Sequence, residues 1–492
     1  MMDTLETQLR ERAAAYGQDH IFRFWDQLTE SARTAFLNQI AGVDFQLLKR
    51  LSEAWIHTEK AEEHFNSILP IQLIPPVDES DGDARAALDA GEEFLRQGRV
   101  GVFVVAGGQG TRLGFPGPKG SYPVGPISKH SLFQYQAEKI NKLQERYQVI
   151  LPWYLMVSDS NHEATRAFFE THNFWGLKRE NVFFLPQRMI PCLDPQGKLI
   201  LESPGRLATS PNGHGGAIEA LVDGGAVEDA RKRGVELFTY SQVDNWAAKM
   251  VDPYFIGYHV LRNASMSSKC HRRNNEREAV GVHCICDGEY RVIEYSELDH
   301  YPQLLAVEES GAPVFSPGNP AIHGLSVAFV EELYRHFDVF PWHKAFKKIP
   351  CINETGEKVQ PDTPNGYKFE TFIFDALRFI RHPPVSLEIE RIGEYTPIKQ
   401  FEGINSVVAA RQSMSDYWAP WFEAAGCVVP RDEQGHCAVS LEVSPAFALS
   451  RDEFAEKMCG SMAELRAGIA IHADGTQSVE KQPAPCPEDS TL

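Results

Sequence analysis

The sequence predicts an α/β protein built on a Rossmann-like, mixed and mostly parallel sheet, with an N-terminal helical region and a small C-terminal α+β domain. Three observations indicate this fold class. Short β-branched segments alternate with segments of helical periodicity after residue 99. A glycine-rich loop follows the first of these strands, at a place where such sheets bind ligands. Two β-rich segments joined by Asp287-Gly288 predict a hairpin that interrupts the alternation.

The first predicted part of the chain, residues 1–95, is helical. Leu47, Leu51 and Trp55 recur at the spacing of one helix face, and Asp44 before them is suited to cap a helix. We expect these aromatic-rich helices to pack on the central domain, with a protein-docking surface as the alternative. The other predicted parts are the central domain at residues 96–395, the small C-terminal domain at residues 396–476 with strands near Val428 and Ala438, and a disordered tail at residues 477–492.

Strands and helices are expected in turn along the central domain. Residues 100–105 form the first strand, because they are apolar, β-branched and too few for a helix. Ser131 begins an amphipathic helix that continues to residue 143. Further strands are expected at residues 153–157, 182–185, 237–243 and 255–261, and the hairpin occupies residues 280–295.

Composition argues against several classes of function. A formal charge of −19 disfavours a nucleic-acid-binding protein or an anionic-membrane surface, which need clustered Lys and Arg. No segment approaches the roughly 20 apolar residues of a membrane span, and the first residues lack a signal-peptide pattern. The nine cysteines are scattered and are expected to be reduced thiols. We therefore expect a cytoplasmic protein whose oligomeric state, monomer or weak dimer, stays open.

The loop after the first strand has the composition of a polyphosphate-binding site. Glycines let backbone N–H groups approach an anion and form an anion-binding nest. Arg112 and Lys119 add full positive charges. A tight turn between strand and helix is the alternative for the glycines alone, but the two cations favour the anion site. The remaining candidates for nucleotide binding in this loop are Gly107, Gly108, Gly110 and Thr111.

The spacing within this loop excludes the two commonest phosphate-binding motifs. A Walker A loop needs Ser or Thr directly after its lysine, whereas Gly120 follows Lys119. A dinucleotide-binding fingerprint needs a third glycine where Leu113 stands. The loop is therefore of a different type.

The residues from Ala106 to Gly114, AGGQGTRLG, are followed by Pro118-Lys119-Gly120. This pattern resembles the signature of eukaryotic-type UDP-sugar pyrophosphorylases, the UDPGP family, and most closely the branch that acts on N-acetylglucosamine 1-phosphate. The resemblance implies the nucleotidyltransferase, GT-A-like form of the fold. It also implies a uridylyltransferase in which a sugar 1-phosphate attacks the α-phosphate of UTP. The products are a UDP-sugar and pyrophosphate, and the implied cofactor is Mg²⁺, with Mn²⁺ as the alternative.

The same resemblance assigns the residues that handle phosphate and metal. It places Arg112, Lys119 and Lys399 on the phosphates and Asp244 on the metal ion. A carboxylate at the end of a strand suits Mg²⁺, which takes one or two carboxylates beside phosphate oxygens. Without the resemblance, Asp244 would be a turn or cap residue and Lys399 a solvated lysine.

Three further residues are assigned to the nucleotide. Gln187 would read the uracil edge, because an amide offers both a donor and an acceptor. Gly213 and His214 lie in Gly-His-Gly-Gly before a helix and would contact the nucleotide sugar. Acetylhexosamine enzymes tend to have Gly-Asn-Gly-Gly and glucose enzymes Gly-His-Gly-Asp, so the identity of the sugar stays open. An ordinary loop glutamine and histidine are the alternatives.

The resemblance also implies a sugar pocket. Glu294 would accept hydrogen bonds from sugar hydroxyls, and aromatic rings would form a wall of the pocket. The alternation of Phe372 and Phe374 is equally that of a core strand. The implied sugar-binding residues are Gly281, Glu294, Tyr295, Asn319, Phe372 and Phe374.

The sequence thus predicts a uridylyltransferase acting on N-acetylglucosamine 1-phosphate. The same chemistry on glucose or galactose 1-phosphate is the first alternative, and His214 favours it. A non-catalytic UDP-sugar sensor is the second alternative, although it has little need of Lys119, Asp244 and Lys399 together. A glycosyltransferase is disfavoured because Asp244 is not part of an Asp-x-Asp pair.

Overall fold

The computed structural model describes residues 2–57, 63–458, 465 and 467–480. Within those residues, no helix combines the length and the apolar character that crossing a membrane requires. The α-helices are Met2–Ala15 (α1), Glu30–Ala41 (α2), Phe45–Trp55 (α3), Gly82–Arg96 (α4), Leu132–Tyr147 (α5), His162–Thr171 (α6), Ala217–Asp223 (α7), Ala226–Arg233 (α8), Pro253–Leu261 (α9), Val327–Arg335 (α10), Val407–Ala424 (α11) and Arg451–Met458 (α12).

The strands form one large sheet and several small ones. They are Ile68–Pro70 (β1), Val100–Val105 (β2), Trp153–Val157 (β3), Val182–Pro186 (β4), Met189–Pro191 (β5), Leu201–Ser203 (β6), Arg206–Leu207 (β7), Thr209–Pro211 (β8), Leu237–Gln242 (β9), Met266–Arg272 (β10), Val282–Cys286 (β11), Glu289–Ile293 (β12), Pro317–Gly318 (β13), His323–Ser326 (β14), His343–Lys347 (β15), Cys351–Ile352 (β16), Lys358–Val359 (β17), Gly366–Glu370 (β18), Val385–Ile389 (β19), Leu441–Val443 (β20), Ile469–Ile471 (β21) and Gln477–Val479 (β22).

The large sheet is mixed, which confirms the predicted fold class. Its strands follow the order β1-β11-β13-β10-β14-β9-β2-β3-β4, with β12 beside β11 and β19 beside β10. The neighbours β9, β2, β3 and β4 are parallel. Antiparallel pairing begins where β14 joins β9. The predicted hairpin is present as β11 and β12, with Asp287 and Gly288 at its turn and both at positive φ.

Side chains along β2 point alternately into two hydrophobic layers. Val102 and Val104 pack with residues of α4, α5 and α6. Phe103 packs on the other face with residues of α7, α8 and α10. The sheet is therefore covered by helices on both faces, and β2 is buried along nearly its whole length.

The N-terminal helices pack on the central part of the chain, as predicted. The side chain of Asp44 caps α3 by accepting a 2.9 Å hydrogen bond from Leu47 N. Leu47 and its neighbours on α3 share a hydrophobic cluster with Ile190, Leu193 and Phe369. These helices thus cover the outer side of the region that connects β4 to β8.

The prediction of a strand at residues 255–261 is wrong, because this segment lies in α9. Asp252 caps the helix by accepting a 3.1 Å hydrogen bond from Tyr254 N, and Pro253 opens the first turn. Gly257 faces α4 so closely that a Cβ there would lie 1.7 Å from Ala87 O. A short helix buried between another helix and a sheet is apolar on every side, so its sequence resembles a buried strand.

The C-terminal strands also differ from the prediction. Residues near Val428 and Ala438 are not strands, because the chain turns between Arg431 and Cys437, which form an isolated bridge. The strands there are β20, β21 and β22. Since β22 begins at Gln477, the predicted disordered tail cannot start at that residue. Residues 481–492 lie outside the described residues, and the division of the chain into four parts stays a prediction.

Candidate active site

Four strand ends lie side by side in the sheet, and three of them lead into candidate residues. β2 leads into the glycine-rich loop, β3 into Ser158, β4 into Gln187 and β9 towards Asp244. Because β9, β2, β3 and β4 are adjacent and parallel, their carboxyl ends lie along one edge of the sheet. Motifs that are far apart in sequence are thereby brought together.

The glycine-rich loop folds back on itself and is anchored by a buried amide. Lys119 N donates to Gly108 O at 3.0 Å, which closes the loop. Asn161 Nδ2 donates to Ala106 O at 2.9 Å and to Gly108 O at 3.2 Å. The Asn161 side chain is almost fully buried. This role of Asn161 could not be predicted from the sequence, since a single asparagine before a helix carries no distinctive signal.

Gln187 lies against the start of this loop. Its Nε2 donates to Gly213 O at 2.6 Å, which fixes the orientation of the amide. A Cβ at Gly107 would lie 3.0 Å from Gln187 Oε1, so any larger residue there would press on the amide. Because Nε2 is already bonded, Oε1 is the atom that can accept from a ligand N–H.

The segment from Gly213 to His214 is held against the residues that follow β18. Gly213 has a φ of +82°, and a Cβ there would lie 2.3 Å from Thr371 O. Ile373 N donates to His214 Nδ1 at 3.1 Å. Burial, with a smaller effect of His343, lowers the pKa of His214 to about 4. The ring is therefore neutral at pH 7, and its proton is on Nε2.

An ion pair joins the glycine-rich loop to the end of β9. Lys119 Nζ lies 2.7 Å from Asp244 Oδ2. The two side chains are only 15% and 14% exposed. The cation predicted to bind phosphate and the carboxylate predicted to bind metal thus neutralise each other.

Lys399 reaches the same edge on residues 394–399, a segment that starts in a turn and that we call the strap. Asn245 Nδ2 donates to Glu394 O at 2.7 Å, and Thr396 N donates to Asn245 Oδ1 at 3.0 Å. Ile398 N donates to Asp244 O at 3.0 Å. These bonds lay the strap beside Asp244 and Asn245. Lys399 is the last residue of the strap, and its side chain is exposed.

A cavity of about 220 Å³ opens beside Asp244 and the strap. Its lining combines polar groups with small and aromatic side chains, as small-molecule sites do. Lining residues that the sequence analysis did not assign include Gln242, Asn245, Ala321 and Tyr395. The predicted residues that line it are His214, Asp244, Gly281, Glu294, Tyr295, Asn319, Phe374 and Lys399.

Two features of the cavity wall affect its chemistry. Burial raises the pKa of Glu294, repulsion from Glu297 adds to this, and Lys399 opposes it. Asn319 Oδ1 accepts a 3.0 Å hydrogen bond from Ala321 N, where the backbone has a φ of +57°. Such left-handed conformations are uncommon for alanine and occur at functional sites.

The remaining predicted residues lie around these centres. Thr111 and Arg112 are exposed on a short 3₁₀ turn of the loop, Thr111–Leu113. The Phe372 ring stacks on the His214 ring, with 5.2 Å between the centroids, and on the His343 ring at 4.3 Å. It therefore packs against both histidines. Neither Arg112 nor Phe372 is among the residues that line the 220 Å³ cavity.

The donor set around Asp244 fits a metal ion that a phosphate brings with it. Among the described residues, no group of three or more His, Cys, Asp or Glu side chains could hold an ion by itself. Asp244 offers one carboxylate, of which Oδ2 contacts Lys119. Mg²⁺ in phosphate sites commonly takes one or two carboxylates, phosphate oxygens and water.

Comparisons with known proteins agree with this arrangement. A family model described as UTP–glucose-1-phosphate uridylyltransferase matches residues 49–418. The Dictyostelium discoideum protein named "Probable UDP-N-acetylglucosamine pyrophosphorylase" is 36% identical over an alignment of 467 positions, which covers 90% of this chain and 94% of that protein. The Saccharomyces cerevisiae UDP-N-acetylglucosamine pyrophosphorylase is 32% identical, with 84% and 90% covered. The fold is similar, at a TM-score of 0.77 and 24% identity, to the uridine diphosphate N-acetylglucosamine pyrophosphorylase from Trypanosoma brucei in complex with inhibitor, with 92% and 94% covered.

Proposed function

The chain belongs to the UTP–glucose-1-phosphate uridylyltransferase family, and from this we propose that it makes UDP-N-acetylglucosamine and pyrophosphate from UTP and N-acetylglucosamine 1-phosphate. One observation carries the proposal. The glycine-rich loop, Gln187, the Lys119–Asp244 pair and Lys399 lie at one edge of the sheet, beside a cavity of hexose size. Such a site can hold two phosphorylated substrates side by side.

The uracil of UTP would lie between Gly107, Gly108 and Gln187. Uracil N3–H is a donor, and Gln187 Oε1 is the acceptor that the fixed amide presents. Asn161 holds the loop carbonyls of Ala106 and Gly108 in place, so the base meets a rigid surface. This arrangement supports reading of the base by shape and by one directed hydrogen bond.

The triphosphate would draw Lys119 away from Asp244. Lys119 and Arg112 lie on the same loop, and Lys399 approaches from the strap, so three cations can surround the phosphates. Asp244 would then hold the metal ion, Mg²⁺ or Mn²⁺, which supplies neutralising charge to the leaving pyrophosphate. The chain contributes alignment and fixed positive charge, and the transfer needs no covalent intermediate on the protein.

The sugar 1-phosphate would occupy the 220 Å³ cavity. Glu294 offers an acceptor to its hydroxyls, and the His214 Nε2–H is a donor with a fixed proton. Asn319 presents an amide whose oxygen already accepts from Ala321 N. The names of the relatives from Dictyostelium and Saccharomyces support an acetylated hexosamine. The histidine at position 214 favours glucose or galactose as the second candidate. Cytoplasmic location and the monomer-or-weak-dimer state stay predictions.

A substrate panel tests the identity of the sugar. Pyrophosphate release is measured with UTP, Mg²⁺ and the 1-phosphates of N-acetylglucosamine, N-acetylgalactosamine, glucose and galactose. We expect the highest kcat/KM with N-acetylglucosamine 1-phosphate, and His214→Asn should keep that order. Preference for glucose or galactose 1-phosphate would assign the second candidate. Binding of UDP-sugar without turnover on any substrate would identify a sensor.

A further inference from the structure

We propose that Glu394 is a positioning residue for this reaction, which acts by holding the strap so that Lys399 reaches the phosphates. Glu394 itself does not line the cavity, whereas Tyr395 and Lys399 do. The inference rests on the proposed role of Lys399 in the uridylyl transfer.

Glu394 belongs to a cluster of four charged side chains, three of which are buried, whereas the fourth, Lys249, is 54% exposed. Lys269, on β10, is fully buried. Its Nζ donates to Asp252 Oδ2 at 2.6 Å and to Glu394 Oε2. Lys249 Nζ lies 3.3 Å from Glu394 Oε1. The cluster therefore contains two positive and two negative side chains, and Lys269 reaches both carboxylates.

The two carboxylates of the cluster differ in what they hold. Asp252 caps α9 and is not part of the strap. Glu394 is the first residue of the strap, and its own carbonyl accepts from Asn245 Nδ2 at 2.7 Å. The side chain of Glu394 is bonded to buried Lys269, and its backbone carbonyl is bonded to Asn245. Together these contacts set the direction in which the strap leaves the sheet.

The rest of the strap transmits this placement to the cavity. The Tyr395 ring stacks on the ring of His271, which is on β10 like Lys269, with 4.6 Å between the ring centroids. Ile398 N then bonds Asp244 O, one residue before Lys399. Because the Glu394 carboxylate is the group that ties the strap to buried Lys269, loss of its charge should loosen the strap.

A double-mutant cycle with a matched control tests the proposal. Glu394→Gln keeps the shape of the side chain but removes its charge, and Asp252→Asn does the same to the other carboxylate on Lys269. We expect both variants to lower the thermal midpoint. Only Glu394→Gln should lower kcat, by about tenfold, while kcat of Asp252→Asn stays within about twofold. In a Lys399→Met background, Glu394→Gln should lower kcat by less than about twofold.

Each other outcome has a distinct meaning. Equal kcat losses from Glu394→Gln in the two backgrounds, or an equal loss from Asp252→Asn, would overturn the positioning role. If Glu394→Gln does not fold, the cycle is repeated with Glu394→Asp, which keeps the charge but shortens its reach. Failure of both variants to fold would show a purely structural role and overturn the proposal. Wild-type turnover of Lys399→Met would contradict the proposed role of Lys399 and the inference with it.

Discussion

Replacing Lys119 with methionine tests two roles of this side chain. We expect Lys119 to stabilise the fold by pairing with Asp244 and to bind the phosphates during turnover. The 2.7 Å contact between side chains that are 15% and 14% exposed is a partly buried, charge-assisted hydrogen bond. Such bonds contribute about 1.5–3 kcal/mol, so Lys119→Met should lower the free energy of unfolding by about 2 kcal/mol. The Asp244 carboxylate then lacks its donor.

The double variant separates stability from catalysis. Lys119→Met combined with Asp244→Asn leaves no unpaired charge, so it should recover about half of the lost stability. Its turnover should not recover. The Lys119→Met variant and the double variant should each lose on the order of 10²-fold in kcat, as when a preorganised donor to developing charge is removed.

Denaturant unfolding and pyrophosphate release measure the two effects separately. Arg99→Met is the matched control, because Arg99 pairs with Glu236 at 2.6 Å at the opposite end of β2 and is more exposed. It should change the unfolding free energy by less than about 1 kcal/mol and leave kcat unchanged. Wild-type turnover of Lys119→Met, or faster turnover of the double variant than of the single one, would contradict the catalytic role of Lys119.

Three further outcomes follow from the site. Gln187→Leu should raise KM for UTP about tenfold and leave KM for the sugar phosphate within about twofold, because it removes the acceptor for the base; equal changes in both constants would contradict this. Asn161→Ala removes both loop anchors, so kcat/KM for UTP should fall about tenfold at a nearly constant sugar KM, and an unchanged value would refute the anchoring role. Burial lowers the pKa of His214, His259 and His283 from 6.5 to about 4, so the unfolded chain binds more protons below pH 6.5. Unfolding free energy should therefore fall between pH 6.5 and 4, by about 2 kcal/mol per histidine at pH 5, whereas constant stability across that range in denaturant titrations would contradict neutral, buried rings.

Local signals in the sequence predicted much of the fold. The strand Trp153–Val157, the Asp44 cap and the Asp287-Gly288 hairpin are encoded by neighbouring residues, so their patterns are unambiguous. Residues 255–261 were not, because burial on every side of α9 removes the periodicity that separates helix from strand. The positions of the C-terminal strands were also predicted wrongly. Apolar residues near Val428 are buried against α11 next to a turn, and they do not form a strand.

Some residues of the site could likewise be predicted from the sequence, and others could not. The glycines, Arg112 and Lys119 could be proposed from the composition of one loop. Asp244 and Lys399 were assigned only by the family resemblance, and the roles of all these residues stay predictions.

Asn161 and Asn245 could not be predicted, because each acts by bonding backbone groups that are distant in sequence, and an isolated asparagine has no signature of that role. The pairing of Lys119 with Asp244 was also missed, since each had been assigned to a ligand and their mutual distance appears only in the folded chain.

The fate of the labelled phosphates of UTP tests directly whether the protein transfers a uridylyl group to the sugar phosphate. Wild-type protein is incubated with N-acetylglucosamine 1-phosphate, Mg²⁺ and UTP labelled either at the α-phosphate or at the γ-phosphate. We expect the α label to appear in the UDP-sugar and the γ label in pyrophosphate, in equal amounts. Absence of the α label from the UDP-sugar, or release of the γ label as inorganic phosphate, would contradict a uridylyl transfer at this site.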